Sequence, residues 1–446
     1  PLFILDGFEV SSEKIFDMDI NRIESITLLK DASATILYGS RAANGVIVIE
    51  TTAPKAGQLR VTYDFKPTIA FADLTGYDLM NAREKLEYEK EAGLYENGYT
   101  PSDQYTKDAE YNKRYKNVLE GVNTYWLSQP VHTSFSHAHS LYVEGGVDNV
   151  RYGIDAAYNN QTGVMIGSGR DRINLGFSLI YRIKDKITIK NYISYAHTHA
   201  YNSPYGDYAQ YGKQNPYERI YDDNGDLIPL LMNGDPNPLY DAKLPSRNFT
   251  NSQEFREQLN VDWMIGHGFR LRGQLGINKS NSETNKYTSP LSSVYVIKGK
   301  YNSSTGMTEY LPIEERGELD INHGKTLEVS SNVTLNYNKL VAEKHMLYGG
   351  LGTELTTTKD NNEGYVVTGF PDDRYSDPAF AIQYKKGTKA NSNENQTRAI
   401  GFFANLNYIY DNRYFLDASF RTDGSSRFGT DKKFAPFWSL GAGWNI

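Results

Sequence analysis

The chain has 446 residues, a formal net charge of −7, no cysteine and a mean hydropathy of −0.58. The missing cysteine removes disulfides and thiolate metal sites, and acidity spread along the chain gives a nucleic-acid partner no electrostatic basis. No apolar run approaches the length of a transmembrane helix, yet 35 Tyr, 38 Gly and long stretches of alternating polarity leave membrane-spanning strands open, because such strands average out as polar.

The chain opens abruptly on Pro1-Leu2-Phe3-Ile4-Leu5-Asp6-Gly7, which reads as the inside of a domain. From Ile23 to Ile49 it reads strand, turn, short helix, glycine-marked turn, strand. Ile23, Ile26, Leu28 and Leu29 form a mostly apolar strand that ends at Lys30. Asp31 is placed to cap a helix over about Ala32 to Tyr38. Gly39 ends that helix, Ser40, Arg41 and Asn44 lie in the turn, and Gly45 opens Val46-Ile47-Val48-Ile49, apolar on both faces as a buried strand is. A phosphate loop is disfavoured, because its glycines must precede the helix and these follow it. An internal ion pair is the expected role of Arg41. A Thr51-Thr52-Ala53-Pro54-Lys55 linker closes this unit.

The wording LKDASATILYGSRAANGV closely resembles the plug domain of TonB-dependent outer-membrane transporters, and looks most like their SusC/RagA branch. The plug signature of that family falls on Asp6, Gly7, Lys30, Asp31, Tyr38, Gly39, Arg41, Asn44 and Gly45.

From about Arg60 the dominant signal has a period of two. Phe255, Glu257, Leu259, Val261, Trp263 and Ile265 alternate with Arg256, Gln258, Asn260, Asp262 and Met264, and the pattern recurs around Leu175, Val333 and Leu416. Turns at Lys184-Asp185, Gly266-His267-Gly268, Ala342-Glu343-Lys344 and Asp411-Asn412-Arg413 have hairpin lengths. The connections between these pairs are long, at about Ala72 to His137, Ala196 to Ser252, Ser280 to Gly324 and Lys359 to Gln396. Sorting by length matches periplasmic turns on one side and extracellular loops on the other. About eleven strands are expected, with a twelfth beginning near Phe434; eleven is odd and the chain ends inside a strand, so this is not a closed bacterial barrel and the chain is expected to be a piece of a longer one. The fold class is therefore mainly β: a transmembrane antiparallel barrel of about 22 strands by resemblance, roughly half of it present, with a small α/β plug. Residues 1–55 are expected to be the C-terminal part of the plug, and residues 56–446 the N-terminal part of the barrel.

A second stretch of close resemblance runs from Arg413 to Ile446. It contains Arg421, Asp423, Gly424, Arg427 and Gly429 in RTDGSSRFG, followed by FWSLGAGWNI. Asp423-Gly424 and Phe428-Gly429 read as turn chemistry, with Arg421 and Arg427 aimed into the lumen or across the loop base.

No nucleophile, base and acid come together, so no enzyme and no cofactor are expected. His132, His137, His139, His197 and His199 read as rim residues rather than metal ligands. Asp222, Asn224 and Asp226 read as a turn, since Gly225 falls too early for an EF-hand. Asp372, Asp373 and Asp377 read as a solvated loop. The segment Arg83 to Glu91 reads as a charged helix in the first long connection. Aromatic faces stack on sugar rings, which makes Trp126, Tyr205, Tyr208, Tyr211, Tyr217 and Tyr221 the candidate substrate contacts. The resemblance implies energised import of large polar nutrients, oligosaccharides first and oligopeptides as the alternative, across the outer membrane of a Gram-negative, Bacteroidota-like cell. It also implies two partners besides outer-membrane lipid and the cargo: a SusD-like surface lipoprotein and the TonB-ExbB-ExbD complex. A passive porin or adhesin barrel is the remaining reading.

Overall fold

The computed structural model describes residues 1–30, 38, 42, 44–96, 99–302, 307–429 and 433–445. The helix read over Ala32 to Tyr38 lies outside these residues, apart from its last position.

Two sheets dominate. The small one has the order β2-β1-β4-β3, from β1 (Leu2–Leu5), β2 (Phe8–Val10), β3 (Ile23–Leu29) and β4 (Val46–Thr51). The chain turns tightly between β1 and β2 at Asp6 and Gly7, whose φ angles of 50° and 92° are left-handed. An Asp-Gly pair suits such a turn because glycine accepts positive φ without a Cβ clash. Asp6 also accepts from the Thr51 N–H at 2.9 Å and the Thr51 hydroxyl at 2.7 Å, fastening the turn to the end of β4. As its doubly apolar sequence predicts, β4 is interior: it pairs with β1 in parallel and with β3 antiparallel. Leu2, Ile4, Ala42 and Val46 pack with Leu29 and Tyr38 on one face, and Leu5, Val10 and Ile49 pack with Ile15 and Met18 on the other.

The large sheet runs twelve strands in unbroken antiparallel order. They are β5 (Gly57–Ala70), β6 (Ser134–Val147), β7 (Val150–Thr162), β8 (Gly169–Ile183), β9 (Ile187–Tyr201), β10 (Arg247–Gly266), β11 (Phe269–Thr288), β14 (Glu318–Val341), β15 (His345–Thr368), β17 (Asn391–Tyr410), β18 (Tyr414–Ser425) and β19 (Phe434–Trp444). A short pair, β12 (Val296–Asn302) with β13 (Met307–Tyr310), stands apart, and β16 (Gln383–Tyr384) borders β15. The expected strand series is thus present in the expected order.

The short connections fall at one end of the sheet. Among the described non-glycine residues with positive φ, Lys184, Asp185, His267, Ala342, Glu343, Asp411 and Asn412 all sit in these turns. Paired left-handed residues give the hairpin twist that matches the strands. The opposite end carries the long connections, but not uniformly: 163–168 between β7 and β8 is short.

The strands are longer than their sequence period shows. Residues 202–246, 289–317 and 369–390 are the true connections, because β10 and β11 reach 20 residues and β14 and β15 reach 24. A tilted strand crosses hydrocarbon in about 9–11 residues, so the rest of each strand stands in water. There both faces are polar, as in Thr356-Thr357-Thr358-Lys359-Asp360, and the period of two disappears.

One face of the sheet is apolar and open. Leu175 is 50% exposed, Leu351 64%, Leu440 70% and Trp438 71%. An apolar surface of this extent covers a membrane. The other face is polar and carries the small sheet.

Candidate functional site

The candidate functional site is the contact between the small unit and the polar face of the large sheet. The segment joining β2 to β3 supplies it. Ser11 caps the short helix Ser12–Phe16, which leads to a single helical turn at Ile20–Arg22 capped by Asp19. This path delivers Asp17, Asp19 and Arg22 to the wall.

Asp17 accepts from Arg170 Nη1 and Nη2 at 2.6 and 2.7 Å, and Arg172 Nη1 adds a contact at 2.8 Å. Arg170 and Arg172 stand two apart on β8, so both point inward. Asp19 accepts from the Ser140 hydroxyl at 2.6 Å and from Lys66 Nζ at 3.2 Å. The Arg22 guanidinium lies 3.6 Å from the centre of the Tyr142 ring, a cation–π contact. The linker is pinned as well, its Lys55 N–H donating to Glu144 at 2.7 Å.

Beside these contacts lies a cavity of about 930 Å³ between the two sheets. Lys14, Asp155, Tyr192, Gln258, Arg270 and Arg272 are among its lining groups. Part of this lining is already committed, with Arg270 donating to Asp262 through Nε at 2.6 Å and Gln274 to Asn260 at 2.7 Å. The space is lined by polar groups and by charges of both signs, so it suits polar solutes.

Of the plug-motif residues that are described, Gly7, Gly45 and Tyr38 occupy constrained positions. Gly7 needs its positive φ, and a Cβ there would also collide with the Gln274 amide of the wall. Gly45 has φ 82°, donates to Ala42 O at 2.9 Å and accepts from Leu2 N at 2.9 Å. Tyr38 packs on Val46 in the electrostatic neighbourhood of Glu354. Lys30 and Asn44 are exposed. Asp31, Gly39 and Arg41, with the ion pair expected of Arg41, lie outside the described residues.

In the second motif, Arg421 is 3% exposed and ion-paired within the sheet, with Asp423 at 2.6 Å and Glu354 at 2.9 Å. Asp423 and Gly424 are not turn residues: both belong to β18 and pair in register with Ala435 and Phe434. The Gly424 requirement is steric, since a Cβ would meet the Phe434 ring at 2.7 Å. Arg427 and Gly429 are exposed in the connection that follows.

The aromatic set is mostly the core of a loop module. Trp126, Tyr211 and Tyr217 are 3%, 1% and 0% exposed. Trp126 Nε1 donates to Asn215 O at 2.9 Å, Tyr211 to Tyr205 O at 3.0 Å and Tyr217 to Glu89 at 2.9 Å. These rings have no face open to a ligand in this structure. Tyr205 and Tyr208 are half-buried against the same cluster, whereas Tyr221 is 51% exposed. Tyr77 and Tyr125 stand in the neighbourhood of Tyr208 and are 54% and 38% exposed. The module includes the expected charged helix, at Ala82–Glu91, and a second at Pro101–Leu119 that sequence reading missed. Its start was marked by Thr100 followed by Pro101, a cap and a first-turn proline.

His139 meets the Tyr63 hydroxyl at 2.7 Å and His199 meets Asn251 at 2.7 Å. Asp222 caps its own turn through the Asn224 and Asp226 N–H groups at 2.8 and 2.9 Å.

Residues 1–46 match the family model described as the TonB-dependent Receptor Plug Domain. Among curated proteins, TonB-dependent receptor P26 of Formosa agariphila is 25% identical and TonB-dependent receptor SusC of Bacteroides thetaiotaomicron 26% identical, each across 100% of this chain and 43% of its own length. The chain thus spans less than half of the relatives it matches. A solved structure of the RagAB peptide transporter superposes with a TM-score of 0.80 at 25% identity, over 99% of this chain and 51% of that one. The ferric citrate transporter FecA shares the fold alone, at a TM-score of 0.53 and 9% identity. Residues 1–46, which carry Asp6-Gly7, match the plug domain, the large sheet has the fold of barrel wall in these transporters, and the chain as a whole is similar to TonB-dependent receptors of the SusC/RagA kind.

Proposed function

We propose that the protein imports large polar nutrients across an outer membrane, with oligosaccharides as the first cargo class and TonB-ExbB-ExbD supplying the energy. The observation that carries this reading is the charged tether of Asp17 and Asp19 to the wall. A plug fixed by ion pairs in a wide barrel blocks diffusion, and passage then needs work to shift it. Residues 1–55 act as the plug portion and 56–446 as barrel. A SusD-like lipoprotein covers the extracellular side and delivers cargo to the loops, where Tyr221, Tyr208, Tyr125 and Tyr77 offer open or partly open rings. No step requires covalent chemistry by the protein.

Oligopeptide cargo is the second reading, supported by the likeness to a solved peptide transporter. The test is uptake of defined glycans and peptides by cells carrying the full-length gene or a deletion, with and without a proton gradient. Import reads out as gradient-dependent uptake of one cargo class, lost on deletion. Uptake that survives collapse of the gradient overturns the energised mechanism, and loss confined to peptides moves the cargo to the second reading.

A further inference from the structure

The membrane face of the wall is not evenly covered. One register row crosses six strands as Phe269, Tyr337, Gly349, Leu406, Ala418 and Leu440. The next row, two residues farther from the short turns, runs Leu271, Leu335, Leu351, Ala404, Phe420 and Trp438. Phe269 and Tyr337 pack with ring centres 4.7 Å apart and form one ridge. Phe420 and Trp438 form another. Between the ridges the small residues Gly349 and Ala418 of the first row and Ala404 of the second stand beside Leu406 and Leu351, leaving an apolar slot of about 640 Å³.

The rim of the slot has different chemistry. Four residues nearer the turns, about 13 Å along the strand, the row reads Val341, His345, Tyr410, Tyr414 and Trp444. Arg413 stands over Tyr414 and Trp444, 5.8 and 5.7 Å from their ring centres. Exposed Lys339 and Lys344 join it, so the rim cations outnumber the turn carboxylates Glu343 and Asp411. Aromatic rings and cations mark the level of lipid headgroups, and the slot begins on the hydrocarbon side of that level.

We propose that this slot binds one phospholipid of the periplasmic leaflet, an acyl chain lying over Gly349 between the two ridges and the phosphate meeting Arg413 and Lys344. The glycine and the two alanines lower the surface beside Leu351 and Leu406, so that a chain is held between these side chains and the two ridges. The cationic rim selects a phosphate-bearing lipid over a neutral one with the same tails. The inference rests on the transmembrane wall and is independent of the cargo.

Gly349 makes the test clean, because a Cβ there would meet nothing nearer than Asn405 O at 3.9 Å. The full-length protein in mild detergent is titrated with dioleoyl-phosphatidylglycerol or with dioleoylglycerol, and retained lipid is counted by native mass spectrometry. The wild type holds one phosphatidylglycerol. Gly349→Leu and, independently, Ala418→Leu reduce retention at least tenfold. Gly273→Leu, on the same face but outside the slot and with open space for a Cβ, leaves it unchanged. Combined Arg413→Gln and Lys344→Gln abolish the preference over dioleoylglycerol. Undiminished retention in both slot variants, equal loss in Gly273→Leu, or a protein dimer in place of bound lipid overturns the proposal.

Discussion

Asp17 and Arg170 form a two-point ion pair between plug and wall, oxygen to nitrogen at 2.6 and 2.7 Å, and Arg172 closes on the same carboxylate at 2.8 Å. The side chains of Asp17 and Arg172 are only 8% and 9% exposed. Removing one member of such a group leaves buried charge without a partner, at a cost of about 3–5 kcal/mol. Asp17→Ala removes the carboxylate that pairs both guanidinium groups, leaving Arg172 only the neutral acceptors Asn174 and Thr198, and is expected to loosen the plug. In planar bilayers the full-length variant should show openings that the wild type lacks, and unchanged quiet membranes would refute the latch.

Gly7 carries two demands that a double substitution separates. Its φ of 92° penalises any side chain, and the Gln274 amide occupies the space a Cβ needs. Gly7→Ala is expected to cost about 1–3 kcal/mol. Adding Gln274→Ala should return only the steric share, leaving the backbone share in place. Full rescue of thermal stability by the second change would show that φ contributes nothing.

Much of the architecture was legible in residues because lipid and lumen impose opposite polarity on successive positions. Phe255 to Ile265 shows this directly, and so do turns such as Lys184-Asp185. Legibility stopped where that contrast stops. Lys359 to Gly364 is polar at every position, and that part of its strand therefore read as loop. Trp126, Tyr211 and Tyr217 read as ligand platforms because sequence shows ring chemistry and not the side a ring turns to; folding sends these three into the loop core. Asp17 and Asp19 escaped notice since each needs a partner more than a hundred residues or several strands away. The trace they leave is on β8, where Arg170, Arg172 and Asn174 share one parity facing inward.

The orientation of the wall follows from its turns, and the chain has no native cysteine to interfere. Tyr211 is a poor labelling site at 1% exposure. Asp148 in the β6–β7 turn and Asp223 in the long loop have side chains 91% and 99% exposed. On intact cells an impermeant maleimide should label Asp223→Cys and spare Asp148→Cys. The reverse pattern would invert the topology.

Parity makes a paired stability prediction at neighbouring positions. Leu175 is 50% exposed on the membrane face, while Asn174 is turned inward and accepts from Arg172 at 2.9 Å. Leu175→Arg should cost about 2–4 kcal/mol if it lies at mid-depth. Asn174→Gln, a polar change on the wet face, should cost far less. Equal losses in denaturant titrations of refolding into vesicles would argue against a lipid-facing Leu175.

Glu218 gives the loop module a pH dependence. The residue is fully buried, one carboxylate oxygen accepts from the Met232 N–H at 2.8 Å, and the other has no partner among the described residues. Burial pushes its pKa up to about 7, from 4.5. The folded loop therefore holds a proton that the unfolded loop releases at lower pH. Stability from this group is complete below about 4.5 and is lost as pH rises through 7, a swing of about 3 kcal/mol. Hydrogen exchange of amides 215–237, corrected for intrinsic rate, should be faster at pH 8 than at pH 5. Glu218→Gln keeps an oxygen acceptor for Met232 and cannot ionise, so it should flatten the profile near its acidic limb. A variant that retains the wild-type pH profile would assign the titration to another group.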